Sequence, residues 1–172
     1  MFERPLQPND FKDQGISGQE IERKWAVQEL PNISKGKGQQ IVQGYLAVTP
    51  NGKEIRLRKK SGKFYQTIKS AGALVRGELE IELTEEQYVA MWPATDGRRL
   101  EKTRYSIPWQ DKTIELDVYA GALEGLIVAE VEFLSIQEAE RFIPPRWFGV
   151  EVTKDMRFKN RCLACDGKPM LE

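Results

Sequence analysis

The sequence predicts a mainly β protein, built as a closed eight-stranded antiparallel barrel with a charged lumen and helices packed outside. Two observations carry this prediction: charged and apolar side chains alternate along about eight short segments, and Gly- or Pro-containing turns separate them. A chain of 172 residues is long enough to form one domain with a sizeable core. We expect residues 1–18 to be a loosely ordered lead-in and residues 19–172 to form that single domain.

The strands follow from the alternation of side chains, because successive residues of a strand point to opposite faces. The Asn51–Gly52 pair is a strong hairpin signal, and Ser61–Gly62 marks the next turn. Since the connections are short, neighbouring strands are expected to be antiparallel and the sheet to close on itself. The predicted strands are 19–29, 40–48, 53–60, 63–70, 76–83, 102–108, 112–119 and 125–134.

Three helical segments are predicted between and after the strands. TEEQ at 84–87 has the residues of a capping box, which predicts a helix that continues to about Trp92. SIQEAERF at 135–142 has the same pattern and predicts a second short helix. A last helical segment is expected at about 154–165.

Composition excludes several kinds of chemistry. The chain contains no histidine, which rules out serine–histidine and cysteine–histidine catalysis and histidine-based zinc hydrolases. Cys162 and Cys165 lack the further ligands that structural zinc requires, so we expect two ordinary thiols. The 26 basic residues balance the 26 acidic ones, which indicates no attraction to nucleic acid or membranes. Without a signal peptide or a long apolar run, the protein is expected to be cytoplasmic.

One face of almost every predicted strand carries charges, whereas the opposite face is apolar. Like charges are grouped within individual strands, although they repel one another there. The residues of the charged face are Glu20, Glu22, Lys24, Arg56, Arg58, Thr67, Lys69, Glu78, Glu80, Glu82, Lys102, Arg104, Glu115, Asp117, Glu130 and Glu132.

Two other architectures fit this pattern. An open sheet or sandwich would expose the charged face to water, but exposed faces usually mix charges of both signs. A membrane barrel has a polar interior too, but the missing signal peptide and the amphipathic helices disfavour it. Carboxylates bind divalent cations, and arginines and lysines bind phosphate oxygens. The grouping therefore favours an enclosed site for a highly charged ligand.

Several motifs resemble one known family. EIERKW at 20–25 resembles the Glu-x-Glu-x-Lys signature of the CYTH superfamily, the triphosphate tunnel metalloenzymes. The resemblance extends in order from residue 20 to about residue 165, and it implies an eight-stranded tunnel that binds triphosphate compounds with divalent cations. Further matching stretches are QGYL, EIRLRKK, YQTIK, GELEIEL, LEKTRY, IELDVY, GLIVAEVEF and WFGVEVTKDMRFKN.

The resemblance implies roles for individual residues. The expected catalytic residues are Glu20, Glu22, Lys24, Glu130 and Glu132. The expected ligands of Mg²⁺ or Mn²⁺ are Glu20, Glu22, Asp117, Glu130 and Glu132. The expected phosphate-binding residues are Lys24, Arg56, Arg58, Lys69, Lys102, Arg104 and Lys154. Residues that could tune or orient these groups are Glu78, Glu80, Glu82, Glu115 and Arg157, the last at a tunnel mouth with Lys154.

The activity implied by the resemblance is metal-dependent hydrolysis of inorganic triphosphate to diphosphate and phosphate. Class IV adenylate cyclase and thiamine triphosphatase activities are alternatives within the family. A polyphosphate- or nucleotide-binding sensor module without catalysis is an alternative of another class. The expected partner is the small-molecule substrate alone, with no nucleic acid and no membrane, and a homodimer is expected only from the frequency of such dimers.

Overall fold

The computed structural model describes residues 19–28, 30, 38–71 and 75–170, and the predicted lead-in at 1–18 lies outside these ranges. The mainly β class with eight antiparallel strands is confirmed. The strands are β1 Gln19–Ala26, β2 Gln39–Val48, β3 Glu54–Lys60, β4 Lys63–Lys69, β5 Val75–Leu83, β6 Arg99–Trp109, β7 Lys112–Tyr119 and β8 Ile127–Phe133. The α-helices are α1 Glu85–Met91, α2 Ile136–Arg141 and α3 Asn160–Asp166.

All eight strands belong to one strongly curled sheet in the order β1-β5-β4-β3-β2-β6-β7-β8. β1 pairs with β8 from Ile21↔Phe133 to Ala26↔Val128. On its other side β1 pairs with β5, but only from Gln19↔Gly77 to Ile21↔Val75. The curl directs the inner-face side chains of all strands towards one axis.

The buried apolar side chains of the described residues form three clusters, of which the first and third lie on the outer face of the sheet and the second closes one end of its inner face. The largest lies on β1, β7 and β8 under α2, a second lies between the ends of β6 and β7 and the segment that contains α3, and a small third one lies under α1. Their most buried members are Trp25, Ile114, Leu116 and Val131 in the first, Phe158, Leu163 and Val128 in the second, and Leu57, Phe64 and Tyr88 in the third.

The helices cover less of the apolar outer face of the sheet than the sequence predicted. Ile68 of β4 and Ile81 of β5 remain 40% and 47% exposed. The reason is that α1 has only seven residues and packs on Leu57 and Phe64. None of the helices in the described ranges is long and apolar enough to cross a membrane.

The helix starts agree with the capping signals. The Thr84 side chain accepts a hydrogen bond from the Gln87 amide, and the Gln87 side chain accepts one from the Thr84 amide. Ser135 caps α2 through the Glu138 amide. The last predicted helix begins later than expected, because Asp155 caps a 3-10 turn at Met156–Phe158 before α3 starts.

Candidate active site

The inner faces of the strands line a cavity of about 140 Å³ whose walls consist almost entirely of polar side chains. Sequence reasoning identified most of these side chains. The predicted residues that line the cavity are Glu20, Glu22, Lys24, Arg56, Arg58, Lys69, Glu78, Lys102, Arg104, Glu115, Glu130 and Glu132.

Two neighbouring arginines of β3 form the basic wall. Arg56 is only 6% exposed and forms no ion pair with any residue that the structure describes, and its buried Nε has no hydrogen-bond partner. The Arg58 Nη2 donates to Glu80 Oε2 at 2.6 Å, while its own Nε also lacks a partner. A buried guanidinium with unused donors is costly unless an anion completes it. The arrangement therefore provides donors for an anionic ligand.

Two lysines of the cavity, Lys24 and Lys69, are held by carboxylates. The Lys69 Nζ lies 2.8 Å from Glu20 Oε2 and 2.6 Å from Glu78 Oε2. The Lys24 Nζ lies 2.6 Å from Glu130 Oε1 across the β1–β8 pair. In the free protein these ion pairs neutralise both the lysines, which a bound phosphate could neutralise instead, and the glutamates, which a bound cation could neutralise instead.

Arg104 of β6 is the centre of a second, deeper network. Its Nε lies 2.6 Å from Asp117 Oδ1, and its Nη2 donates to Glu130 Oε2 at 2.8 Å. Asp117 is fully buried, also pairs with Lys102, and does not line the cavity. Burial lowers the pKa of Lys102 to about 8 in spite of that partner.

The cavity is open at one end. Along β5 the exposed fraction of the side chain rises from 17% at Glu78 to 28% at Glu80 and 56% at Glu82. Along β8 the buried Glu130 is followed by the exposed Glu132. The open mouth therefore lies towards Glu82 and Glu132.

The C-terminal segment covers the other end. The Lys159 Nζ lies 3.6 Å from Glu22 Oε1, and the Tyr119 hydroxyl donates to Asn160 Oδ1 at 2.6 Å. Lys159 and Asn160 both line the cavity.

Sequence reasoning missed five of the lining residues, which are Gln43, Glu54, Lys60, Lys159 and Asn160. Glu54 and Lys60 continue the alternation of Arg56 and Arg58, so the pattern contained a signal for them. Lys159 and Asn160 had no such signal, because a helix of uncertain docking position gives no information on which side chains reach the site.

The expected positions of Lys154 and Arg157 at a tunnel mouth need correction. The Val152 amide donates to the Lys24 carbonyl, so the chain here pairs with the part of β1 that β5 does not reach. Lys154 is consequently exposed and lines a separate surface cavity with Arg23. The exposed Arg157 binds Asp155 of its own turn, with Nη2 to Oδ2 at 2.8 Å.

Glu132 sits where negative charge accumulates at the mouth. Burial raises its pKa to about 7, with further contributions from Glu115, Glu20, Glu22 and Glu130. Glu132 forms no ion pair within the part of the chain that the structure describes. Its side chain is exposed, so solvent screens part of the repulsion from the other glutamates.

Glu132→Gln is expected to make the metal-free protein more resistant to heat at pH 8, with little difference from the wild type at pH 4. A carboxyl whose pKa rises from 4.5 to about 7 on folding lowers stability as the pH rises through that interval, and an amide does not. Thermal unfolding in EDTA at both pH values checks this. Equal melting temperatures at pH 8 would contradict the accumulation of charge.

The chain is similar to proteins that are named as inorganic triphosphatases. No family model matches the chain. The sequence is 48% identical over 146 residues to an inorganic triphosphatase of Nitrosomonas europaea, covering 84% of this chain and 96% of that protein. It is 33% identical over 150 residues to an inorganic triphosphatase of Acetivibrio thermocellus, covering 83% and 91%. A crystal structure of an inorganic triphosphatase superposes with a TM-score of 0.65 at 45% identity, covering 88% of this chain and 97% of that one.

Proposed function

The chain belongs to the family of CYTH-type inorganic triphosphatases, and we propose that it hydrolyses inorganic triphosphate to diphosphate and phosphate inside the curled sheet. The observation that carries the proposal is the pair of buried arginines, Arg56 and Arg58, whose Nε donors are unused beside a cavity rich in carboxylates. We further propose that the sheet is closed into a tunnel. The pairing of β1 with both β5 and β8 supports this closure.

Triphosphate binding requires cations distributed along the cavity. Arg56 and Arg58 supply planar guanidinium donors that match phosphate oxygens, whereas Lys24 and Lys69 supply point charges. In the free protein the two lysines are paired with glutamates. Binding therefore exchanges partners: the lysines turn from carboxylates to phosphate oxygens.

The exchange leaves carboxylates that need a new cation. Glu20, Glu22, Glu130 and Glu132 are hard oxygen donors of the kind that Mg²⁺ and Mn²⁺ prefer. Burial is the main cause of the raised pKa of Glu132, and repulsion from the other three glutamates raises it further. Within the described ranges no three acidic side chains are yet close enough together to hold a metal ion. The donor chemistry thus fits Mg²⁺ or Mn²⁺ held by these four glutamates, with Asp117 behind them, once the lysines have turned away.

Hydrolysis then needs positioning more than covalent chemistry. When bound, the metal ion supplies charge neutralisation of the phosphate oxygens. The arginines hold the chain so that its terminal phosphorus can be attacked in line. Glu132 has no ion pair among the described residues, so its carboxylate is available to orient the attacking water. The water oxygen forms a bond to phosphorus while one of its O–H bonds breaks and the proton passes to solvent, and the bridging P–O bond breaks with its electron pair leaving on diphosphate.

The cavity walls favour an inorganic substrate over a nucleotide or thiamine compound. No aromatic side chain is found among the described lining residues, although stacking is the usual way to hold a base or a thiazole ring. The four tryptophans of the chain lie elsewhere: Trp25 packs in the outer core with Phe148, and Trp92 stacks on Tyr88. This absence disfavours the adenylate cyclase and thiamine triphosphatase alternatives.

Phosphate release from inorganic triphosphate, ATP and thiamine triphosphate tests the proposal in one experiment. We expect the fastest release from inorganic triphosphate with Mg²⁺ or Mn²⁺, and none in EDTA, because the carboxylates then repel the substrate. Binding without release would indicate the sensor module instead. Faster cleavage of ATP or thiamine triphosphate, or full activity in EDTA, would overturn the substrate or the metal requirement.

A further inference from the structure

The covered end of the cavity contains an ion pair that the mechanism does not use. We propose that Arg161 and Glu54 form the end wall of the cavity and set the longest phosphate chain that the enzyme accepts. This limit on the length of the substrate rests on the triphosphatase function proposed above.

Arg161 fastens α3 to the hairpin between β2 and β3. The residue is 7% exposed, and its Nη1 donates to the Gly52 carbonyl at 2.9 Å. The same nitrogen lies 3.5 Å from Glu54 Oε2. Glu54 is 4% exposed and lines the cavity. The guanidinium also packs on the hairpin backbone, since a Cβ added at Gly52 would lie 3.1 Å from Nη1.

The wall is anchored on its outer side by apolar contacts. Phe158 and Leu163 flank Arg161 in the chain and are 0% and 2% exposed. Both belong to the cluster that contains Tyr119, whose hydroxyl donates to Asn160. The segment is therefore a packed part of the fold. Its residues Lys159 and Asn160 line the cavity, and Arg161 behind them holds Glu54 of β3, which lines the cavity as well.

The sign of the charge changes at this wall. A phosphate chain that enters at the open mouth passes Lys60, Arg58 and Arg56, which are successive inner-face residues of β3. The next inner-face residue of the same strand is the Glu54 carboxylate, which repels an anion. Arg161 pairs with Glu54, and its Nη1 is directed to the Gly52 carbonyl and the Glu54 carboxylate, so this cation is not offered to the phosphate chain. The row of cations on β3 therefore ends at Arg56, and a longer chain would have to extend into the covered end, where Glu54, Lys159 and Asn160 line the cavity.

The double variant Glu54→Ala/Arg161→Ala tests the wall. Both charges are removed together because either residue alone would be left as a buried unpaired charge. Initial rates with linear triphosphate and linear tetraphosphate are compared. We expect the ratio of the tetraphosphate to the triphosphate rate to rise about tenfold over the wild type, because a steric and electrostatic block to the longer chain is gone.

Lys168→Ala is the matched control, because Lys168 ties the chain after α3 to the Glu124 carbonyl without touching the cavity. Its rate ratio should equal that of the wild type. An unchanged ratio in a folded, active double variant overturns the inference. If circular dichroism shows that the alanine variant is unfolded, the Glu54→Gln/Arg161→Gln variant decides: it removes both charges and the guanidinium but keeps polar side chains at both positions, and an unchanged ratio there overturns the inference equally. Absence of triphosphate hydrolysis by the wild type would instead overturn the proposed function.

Discussion

Glu22→Gln is expected to lower kcat for inorganic triphosphate at saturating Mg²⁺ by at least about 100-fold, since even indirect partners of a metal ligand cost 10- to 100-fold. The amide keeps the size of the side chain but loses the charge that would hold a cation. Stability should change little. The variant loses the contact between Glu22 and Lys159, which is destabilising. It also loses the repulsion of Glu22 from Glu20 and Glu132, whose pKa values burial raises most and Glu22 raises further, and this loss is stabilising.

Steady-state rates over a range of Mg²⁺ concentrations, together with thermal unfolding of the metal-free protein, measure both effects. Glu140→Gln is a suitable control, because this exposed carboxylate of α2 lies outside the cavity. It should behave as the wild type. Recovery of full turnover by Glu22→Gln at high Mg²⁺ would show that this carboxylate is not part of the metal site.

Arg56→Met is expected to lower kcat/KM by about 100-fold or more, the cost of removing one preorganised donor to a reacting oxyanion. The effect on the free energy of unfolding should be small, because Arg56 has no ion pair to lose among the residues that the structure describes. Burial lowers the pKa of Arg56, but the neighbouring carboxylates Glu78 and Glu54 are among the groups that raise it, so some long-range attraction is lost as well. Methionine retains the packing of the aliphatic part of the chain.

Arg104→Met provides the contrast. Its removal leaves the fully buried Asp117 and the buried Glu130 short of a partner, which should cost about 3–5 kcal/mol of stability. Chemical denaturation of both variants beside their kinetics separates the two roles. A loss of stability in Arg56→Met as large as that in Arg104→Met would mean that Arg56 braces the fold and is not reserved for a ligand.

The strands and their inner faces could be predicted because a strand has a strict period of two residues. Once Glu20 and Glu22 are placed on one face, the hairpin registers place Arg56, Arg58 and Lys69 on the same face of neighbouring strands. The same periodicity gives no information on Lys154 and Arg157, which lie in a turn, where no period relates one side chain to the next. Only the family resemblance placed them at a tunnel mouth. Their positions depend on the hydrogen bonds between residues 152–153 and β1.

The sequence by itself determined the class of the fold and which charges share a face, because alternation and turn chemistry are local properties of the chain. Only the tertiary structure decided which of those charges are paired, which end of the cavity is open, and that Lys159, Asn160 and Arg161 cover the other end. The physical reason is that these features arise from contacts between residues far apart in the chain. Their energies depend on burial and distance, which are absent from the order of the amino acids.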